Sequence, residues 1–276
     1  DAAMGRVPVD TVFAHARIVD VYGHRVVAGS VAVKDGEIVA VLFAGRDDDA
    51  ESGGIYAARA AQVIDCQGRY LAPGLIDGHL HMESSNVRPA EYAKMALARG
   101  TTTAIADSHE IANVCGLDGL RFMIEDAHRA PLNARFMMPS CVPALPDEQA
   151  GASITAADMQ AFFVQYPEDI FGLGEMMNMP GVTGADPETL ARIDAAARTA
   201  SGMTDGHAPL VAGPELNAYA AAGIMADHEC TNPDEALDKL SRGMYIMLRE
   251  GTCSHDLEAL APLVLDDPAR ARRCCL

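Results

Sequence analysis

The spacing of apolar and polar positions changes character near residue 71. Before that point, short apolar and β-branched runs at 12–19, 31–33, 38–43 and 63–64 are interrupted by Tyr22-Gly23, Lys34-Asp35-Gly36 and Gly53-Gly54. Short runs bounded by Gly and Asp turn chemistry describe strands rather than helices. Residues 1–71 are therefore expected to form a small all-β unit. Within it the acidic, Gly-bearing stretch 46–54 is expected to be an exposed loop.

From residue 72 onward, strand-like runs alternate with stretches of helical spacing. Strands are predicted at 75–80, 101–107, 134–138, 170–174, 224–227 and 245–249. Helices are predicted at 88–99, 118–128, 155–165, 187–200, 213–222 and 233–242, the first stopped by Gly100. Repeated strand–helix units imply a parallel sheet, and enough of them imply an α/β fold of the (β/α)8 barrel type. About seven units are visible, so the barrel in 72–276 is expected to be incomplete at its C-terminus. No Met precedes Asp1 and no stop pattern surrounds Arg272-Arg273-Cys274-Cys275-Leu276, so both ends read as cut from a longer chain.

Composition narrows the function classes. The chain is 49% hydrophobic but has no Trp, so its core must rest on Ala, Val, Leu, Ile and Met, with the 14 Met as gap fillers. A formal net charge of -18 opposes contact with a nucleic-acid backbone and leaves a small neutral or cationic substrate open. There is no apolar run of about 18 residues, which speaks against a membrane span. Residues 1–9 do not read as a signal peptide. Seven Cys without any Cys-x-x-Cys fit free thiols in a reducing cytoplasm. Cys115, Cys141, Cys230 and Cys253 are expected to be small buried apolar groups.

Ligand-type residues recur at the ends of the predicted strands: His79 and His81, Asp107 to Glu110, Glu175, His207, and His228 with Glu229. In a β/α barrel that end of the sheet builds the active site. Residues i and i+2 of a strand point the same way, so both imidazoles of His79-x-His81 can reach one divalent ion. Taken singly, each of these residues has a structural reading: a packed His pair, a solvated strand-end carboxylate at Glu175, a satisfied core His at 207 or 228. Five of them in barrel order favour an ion centre. His15, His24 and His128 are expected on the surface, and His255 stays open. Gly172-x-Gly174 is too short for a phosphate loop.

Pro73-Gly74-Leu75-Ile76-Asp77-Gly78 followed by His79-Leu80-His81 resembles the opening signature of the amidohydrolase superfamily. The strands before it resemble that superfamily's accessory β-sandwich. Six stretches are similar to the bacterial adenine deaminases within it: His81-Met82-Glu83-Ser84-Ser85, Ser108-His109-Glu110-Ile111-Ala112-Asn113-Val114, Gly174-Glu175-Met176-Met177-Asn178, Asp205-Gly206-His207-Ala208-Pro209, Asp227-His228-Glu229-Cys230-Thr231 and Leu248-Arg249-Glu250-Gly251. The resemblance implies a β-sandwich part at 1–71 and a barrel at 72–276. It implies two divalent ions (Mn, Fe or Zn), one on His79 and His81, the other on His207 and His228, with Glu175 and a hydroxide bridging them. It implies hydrolytic deamination of a small purine, adenine to hypoxanthine and ammonia, with Glu110 aiding proton transfer, in a cytoplasmic homo-oligomer. The family also uses an Asp after the last barrel strand. That residue is missing here, since Asp266 and Asp267 precede Pro268 at a helix start.

Nucleobase deaminases of the zinc type need His-x-Glu together with Pro-Cys-x-x-Cys. His81-Met82-Glu83 supplies only the first half. Another amidohydrolase acting on a cyclic amide or related C–N bond is the alternative enzyme, separable by a substrate panel. An inactive fragment or a degenerate binding barrel would be told apart by activity and metal content.

Overall fold

The computed structural model describes every residue except Pro146, Ala200 and Cys253. The expectation that Cys253 is buried, and the last residue of the helix expected at 187–200, therefore lie outside the described residues. Contacts divide the chain into two compact units, Asp1–Gly74 and Leu75–Leu276.

The first unit is a five-stranded sheet of β1 (Val9–Asp20), β2 (Arg25–Lys34), β3 (Glu37–Phe43), β4 (Ala60–Asp65) and β5 (Tyr70–Leu71), with a short helix α1 (Gly54–Ala57). Its order is β3-β2-β1-β4, and β5 also pairs with β1. The β2–β3 hairpin turns on two residues because Asp35 and Gly36 take φ of 51° and 80°, the left-handed pair that matches strand twist. A register shift lies between Phe13 and Ala16, and His15 within it has φ 51°. Val9, Val12 and Ala14 pack in one apolar cluster, Ala16 and Ile18 in another. The expected exposed loop is largely exposed, with Ala50 and Gly53 tucked in.

The second unit begins with five parallel strands in chain order: β6 (Leu75–Leu80), β7 (Thr101–Asp107), β8 (Asn133–Met138), β9 (Ile170–Met176) and β10 (Met203–Gly206). A second parallel sheet holds β11 (Ala226–Asp227), β12 (Tyr245–Met247) and β13 (Cys274–Cys275). Among the described residues no ladder joins β10 to β11 or β13 to β6. Even so, β13 returns beside β6, since a Cβ on Gly78 would stand 3.6 Å from Cys275 Sγ. The sheet is thus a curled, partly laddered barrel wall. Seven strands are each followed by helix, as the seven units expected, and among the described residues the short eighth strand β13 stands without one.

The helices are α2 (Pro89–Leu97), α3 (His109–Cys115), α4 (Leu117–Ala127), α5 (Ala156–Gln165), α6 (Met179–Thr183), α7 (Pro187–Ala196), α8 (Gly213–Ala221), α9 (Pro233–Leu240), α10 (Leu257–Leu260) and α11 (Pro262–Leu265). Four of their starts, those of α5, α6, α7 and α9, carry a side-chain cap. Thr155 and Asp158 form a reciprocal capping box on α5, and Asp186 and Asn232 cap α7 and α9. The main core joins Leu120, Met123 and Ile124 of α4, Met159 and Phe162 of α5, and Phe136, Met138, Ile170 and Leu173 of the sheet. Buried Met82, Met123, Met138, Met159, Met176 and Met244 do the gap filling that a Trp-free core requires. Cys141 and Cys230 are buried as expected, but Cys115 is exposed. It ends the short helix α3, whose polar start hid it from a periodicity reading.

Candidate metal centre

Glu175 follows Gly174 on β9 and is 3% exposed. Its position depends on Asp107 at the end of β7, whose Oδ2 accepts the Glu175 N–H at 2.7 Å. A Cβ on Gly174 would stand 2.1 Å from that oxygen, so only glycine permits the approach.

Four imidazoles surround the Glu175 carboxylate. Oε1 is 3.1 Å from His79 Nε2, 2.8 Å from His81 Nε2 and 3.5 Å from His228 Nε2, while Oε2 is 2.7 Å from His207 Nδ1. His79 and His81 are brought together as strand neighbours i and i+2 must be, with Nε2 atoms 3.3 Å apart. Nitrogens on one tetrahedral ion at about 2.0–2.1 Å would stand roughly 3.3 Å from each other. The donor set therefore fits a divalent ion, and in three overlapping groups the ligand atoms lie within 4.8 Å of one another: His79, Glu175 and His228; His81, His109 and Glu175; His207, His228 and Glu229.

The ring nitrogens facing away from the centre are held from behind. His79 Nδ1 donates to Asp205 Oδ2 at 2.8 Å, and His81 Nδ1 donates to the Asp107 carbonyl at 2.8 Å. Each ring is thus anchored through Nδ1–H, so that an ion could replace the proton on Nε2, the arrangement a metal-binding imidazole needs. Asp205 Oδ2 also lies 3.5 Å from His228 Nδ1, and the His79 and His228 rings stack at 3.8 Å. Tyr219, wholly buried on α8, donates to the Met176 carbonyl at 2.6 Å and accepts the His207 N–H at 2.9 Å.

Charge follows this geometry. Burial alone would raise the Glu175 carboxyl, but hydrogen bonds from His207, His228, His79 and His81 hold it far below the usual carboxylate range. Burial opposes a proton on His81, yet Glu110 and Glu175 lift it to about 11; burial likewise opposes one on His228, which Asp205 and Glu175 lift to about 10. These imidazoles and carboxylates together form a site built for positive charge. Glu110 lies on α3 with Oε2 3.3 Å from His81 Nδ1, and Ser84 donates to its Oε1 at 3.1 Å. Burial pushes the neighbouring Glu83 carboxyl up to about 7, whereas His81 outweighs burial at Glu110 and keeps it ionised.

His79, His81, Glu110, Glu175, His207 and His228 line one cavity of about 530 Å3 together with His109 and Glu229 of the same strand-end set and with Arg249, whereas Asp107 stands behind it. Arg249 is hydrogen-bonded to Glu229 and lies 3.1 Å from Asp256. His15, His24 and His128 are exposed. His255, left open by the sequence, is exposed and 2.7 Å from Glu250. Asp266 ends α11 and Asp267 caps the short helix that follows, so neither joins the cavity lining. Sequence reasoning gave Asp205 no role. Its signal was the same i, i+2 spacing, to His207, that exposed His79 and His81.

Residues 70–269 match the family model described as Amidohydrolase family. The adenine deaminase of Nitratidesulfovibrio vulgaris strain Hildenborough is 48% identical over 274 residues, covering 99% of this chain and 44% of that protein. The adenine deaminase of Ligilactobacillus salivarius is 43% identical over 278 residues, covering 100% of this chain and 45% of that protein. The chain thus spans less than half the length of these relatives. Among solved structures, beta-aspartyl dipeptidase of Fervidobacterium islandicum AW-1 aligns with a TM-score of 0.59 at 13% identity, covering 98% of this chain and 72% of that one. N-acyl-D-glutamate deacylase of Bordetella bronchiseptica, complexed with zinc and a phosphonate inhibitor, gives 0.52 at 19%, covering 87% and 58%. At those identities both structures speak for the fold alone.

Proposed function

The chain belongs to the amidohydrolase family, and on that footing we propose that its protein deaminates free adenine hydrolytically to hypoxanthine and ammonia. The observation that carries the reading is the ring of His79, His81, His207 and His228 around Glu175, drawn from the ends of β6, β9, β10 and β11. The adenine deaminase name of the similar proteins supports the choice of substrate.

In this reading His79 and His81 hold one divalent ion, His207 and His228 a second, and Glu175 reaches both; Mn, Fe and Zn all suit imidazole and carboxylate. Such ions lower the pKa of water, so that a nucleophile is available near neutral pH. The remaining work falls to the chain. Asp205 and Asp107 keep the imidazole lone pairs pointed inward. Glu110, ionised beside His81, can take up a proton released from water and pass it to a purine ring nitrogen, general acid–base help worth about 10²–10⁴ in rate. The enzyme works as a cytoplasmic homo-oligomer, and the free thiols suit a reducing compartment.

The test uses the full-length protein, purified without chelator. About two divalent ions per chain and ammonia release from adenine are expected. Glu175→Gln should abolish turnover and lower metal content. Hydrolysis of a cyclic amide with adenine untouched would keep the family and overturn the substrate. Absence of bound metal after supplementation would overturn the ion centre.

A further inference from the structure

His207 and His228 stand on opposite sides of a seam. His207 follows β10, the last strand of the five-stranded sheet, and His228 follows β11, the first of the three-stranded sheet. No ladder crosses between them among the described residues, although the strands run close. Met225 N–H donates to the Thr204 carbonyl at 2.9 Å, and a Cβ on Gly206 would stand 2.3 Å from the Ala226 carbonyl. Two residues meant to grip one ion thus lack the regular register that β6 gives His79 and His81.

Lys239 of α9 bridges that seam. It is 0% exposed, and its Nζ donates at 2.7 Å to the carbonyl of Ala208, the residue after His207. The same Nζ lies 2.6 Å from Oδ2 of Asp227, the residue before His228. Glu235 Oε1 takes a third contact at 2.8 Å, and Cys230 Sγ stands at 3.6 Å. An ammonium has three protons; here the Ala208 carbonyl, Glu235 Oε1 and Cys230 Sγ receive them, and the Asp227 carboxylate stands beside the ammonium as its counter-ion. The carboxylates extend the grip. Asp227 Oδ1 accepts the Glu229 N–H at 2.7 Å, and Glu235 Oε1 accepts the Leu210 N–H at 2.7 Å. A buried ion pair is a poor source of net stability, because desolvation cancels most of the attraction and apolar side chains of equal volume do as well. What a three-way ammonium supplies that apolar packing cannot is direction.

We propose that Lys239 is a positioning residue that fixes the separation of His207 and His228 across the seam and thereby sets the affinity of the ion they share. The proposal rests on the ligand reading above.

The test compares the full-length wild type with Lys239→Met and with Lys239→Met/Asp227→Asn, which removes both members of the pair and keeps the cluster's net charge. Mn(II) is dialysed into metal-free protein, occupancy is read by elemental analysis, and the EPR signal of a coupled Mn(II) pair is recorded. The first ion should bind as in the wild type. The second should bind at least roughly tenfold more weakly, in the range seen for supporting residues around metal ligands. The coupled signal should vanish at metal levels that fill the wild type and return with excess Mn(II). Both ions binding at wild-type affinity in the folded double variant would overturn the proposal. Failure of both variants to fold would also overturn it, by making the cluster a stability element. A wild type that binds no pair of ions would instead sink the ligand reading itself.

Discussion

Gly174 determines where Glu175 can stand. The carboxylate of Asp107 takes the space a side chain would need and uses it to hold the Glu175 backbone. Gly174→Ala must push Asp107 away, which breaks the Glu175 N–H bond and loosens the contact to His109. A loss of about 1–3 kcal/mol in stability is expected, as for other overpacked sites, together with lower metal content. Urea unfolding and elemental analysis would check it; unchanged metal content would mean that Asp107 yields without consequence. Such a role for glycine could not be read from the sequence, where Gly172-x-Gly174 looked only like an undersized phosphate loop. His79 and His81 were legible because a strand has a strict period of two. Lys239 left a fainter trace, a charge three residues after Ala236 and so on the buried face of α9, with Glu235 one turn before it as a partner.

Helix starts were the most legible elements, because the cap is written in neighbouring residues. Thr155 and Asp158 bond reciprocally at the head of α5, which covers the core through Met159 and Phe162. Thr155→Ala should cost about 1 kcal/mol in urea unfolding. A change well below that would mean that packing alone holds the helix. Strand limits were less legible because a ladder needs a partner that the local pattern does not reveal. Runs expected at 224–227 and 245–249 shrink to Ala226–Asp227 and Tyr245–Met247 at the seam, whereas the run expected at 170–174 extends to Met176 between two paired neighbours. Cys274–Cys275 was missed altogether, since two residues carry no period.

At the scale of the molecule, the ligand ring belongs entirely to the unit Leu75–Leu276. The sequence conveyed six of its eight strands but missed Met203–Gly206, the strand that leads into His207, and the gap in the ladder between β10 and β11 emerges only in three dimensions. The stacking of His79 on His228 joins the first strand of this unit to a much later one, so the contact closes a long stretch of chain. Contacts of that kind are costly in loop entropy and form late on the way to the native state. An ion gripped there stabilises the finished structure far more than the transition state, so its effect should fall on escape from the fold rather than on arrival. In stopped-flow measurements, Mn(II) should slow unfolding several-fold and leave the refolding rate nearly unchanged. Refolding accelerated as much as unfolding is slowed would instead put the ring of histidines among the earliest contacts the chain makes.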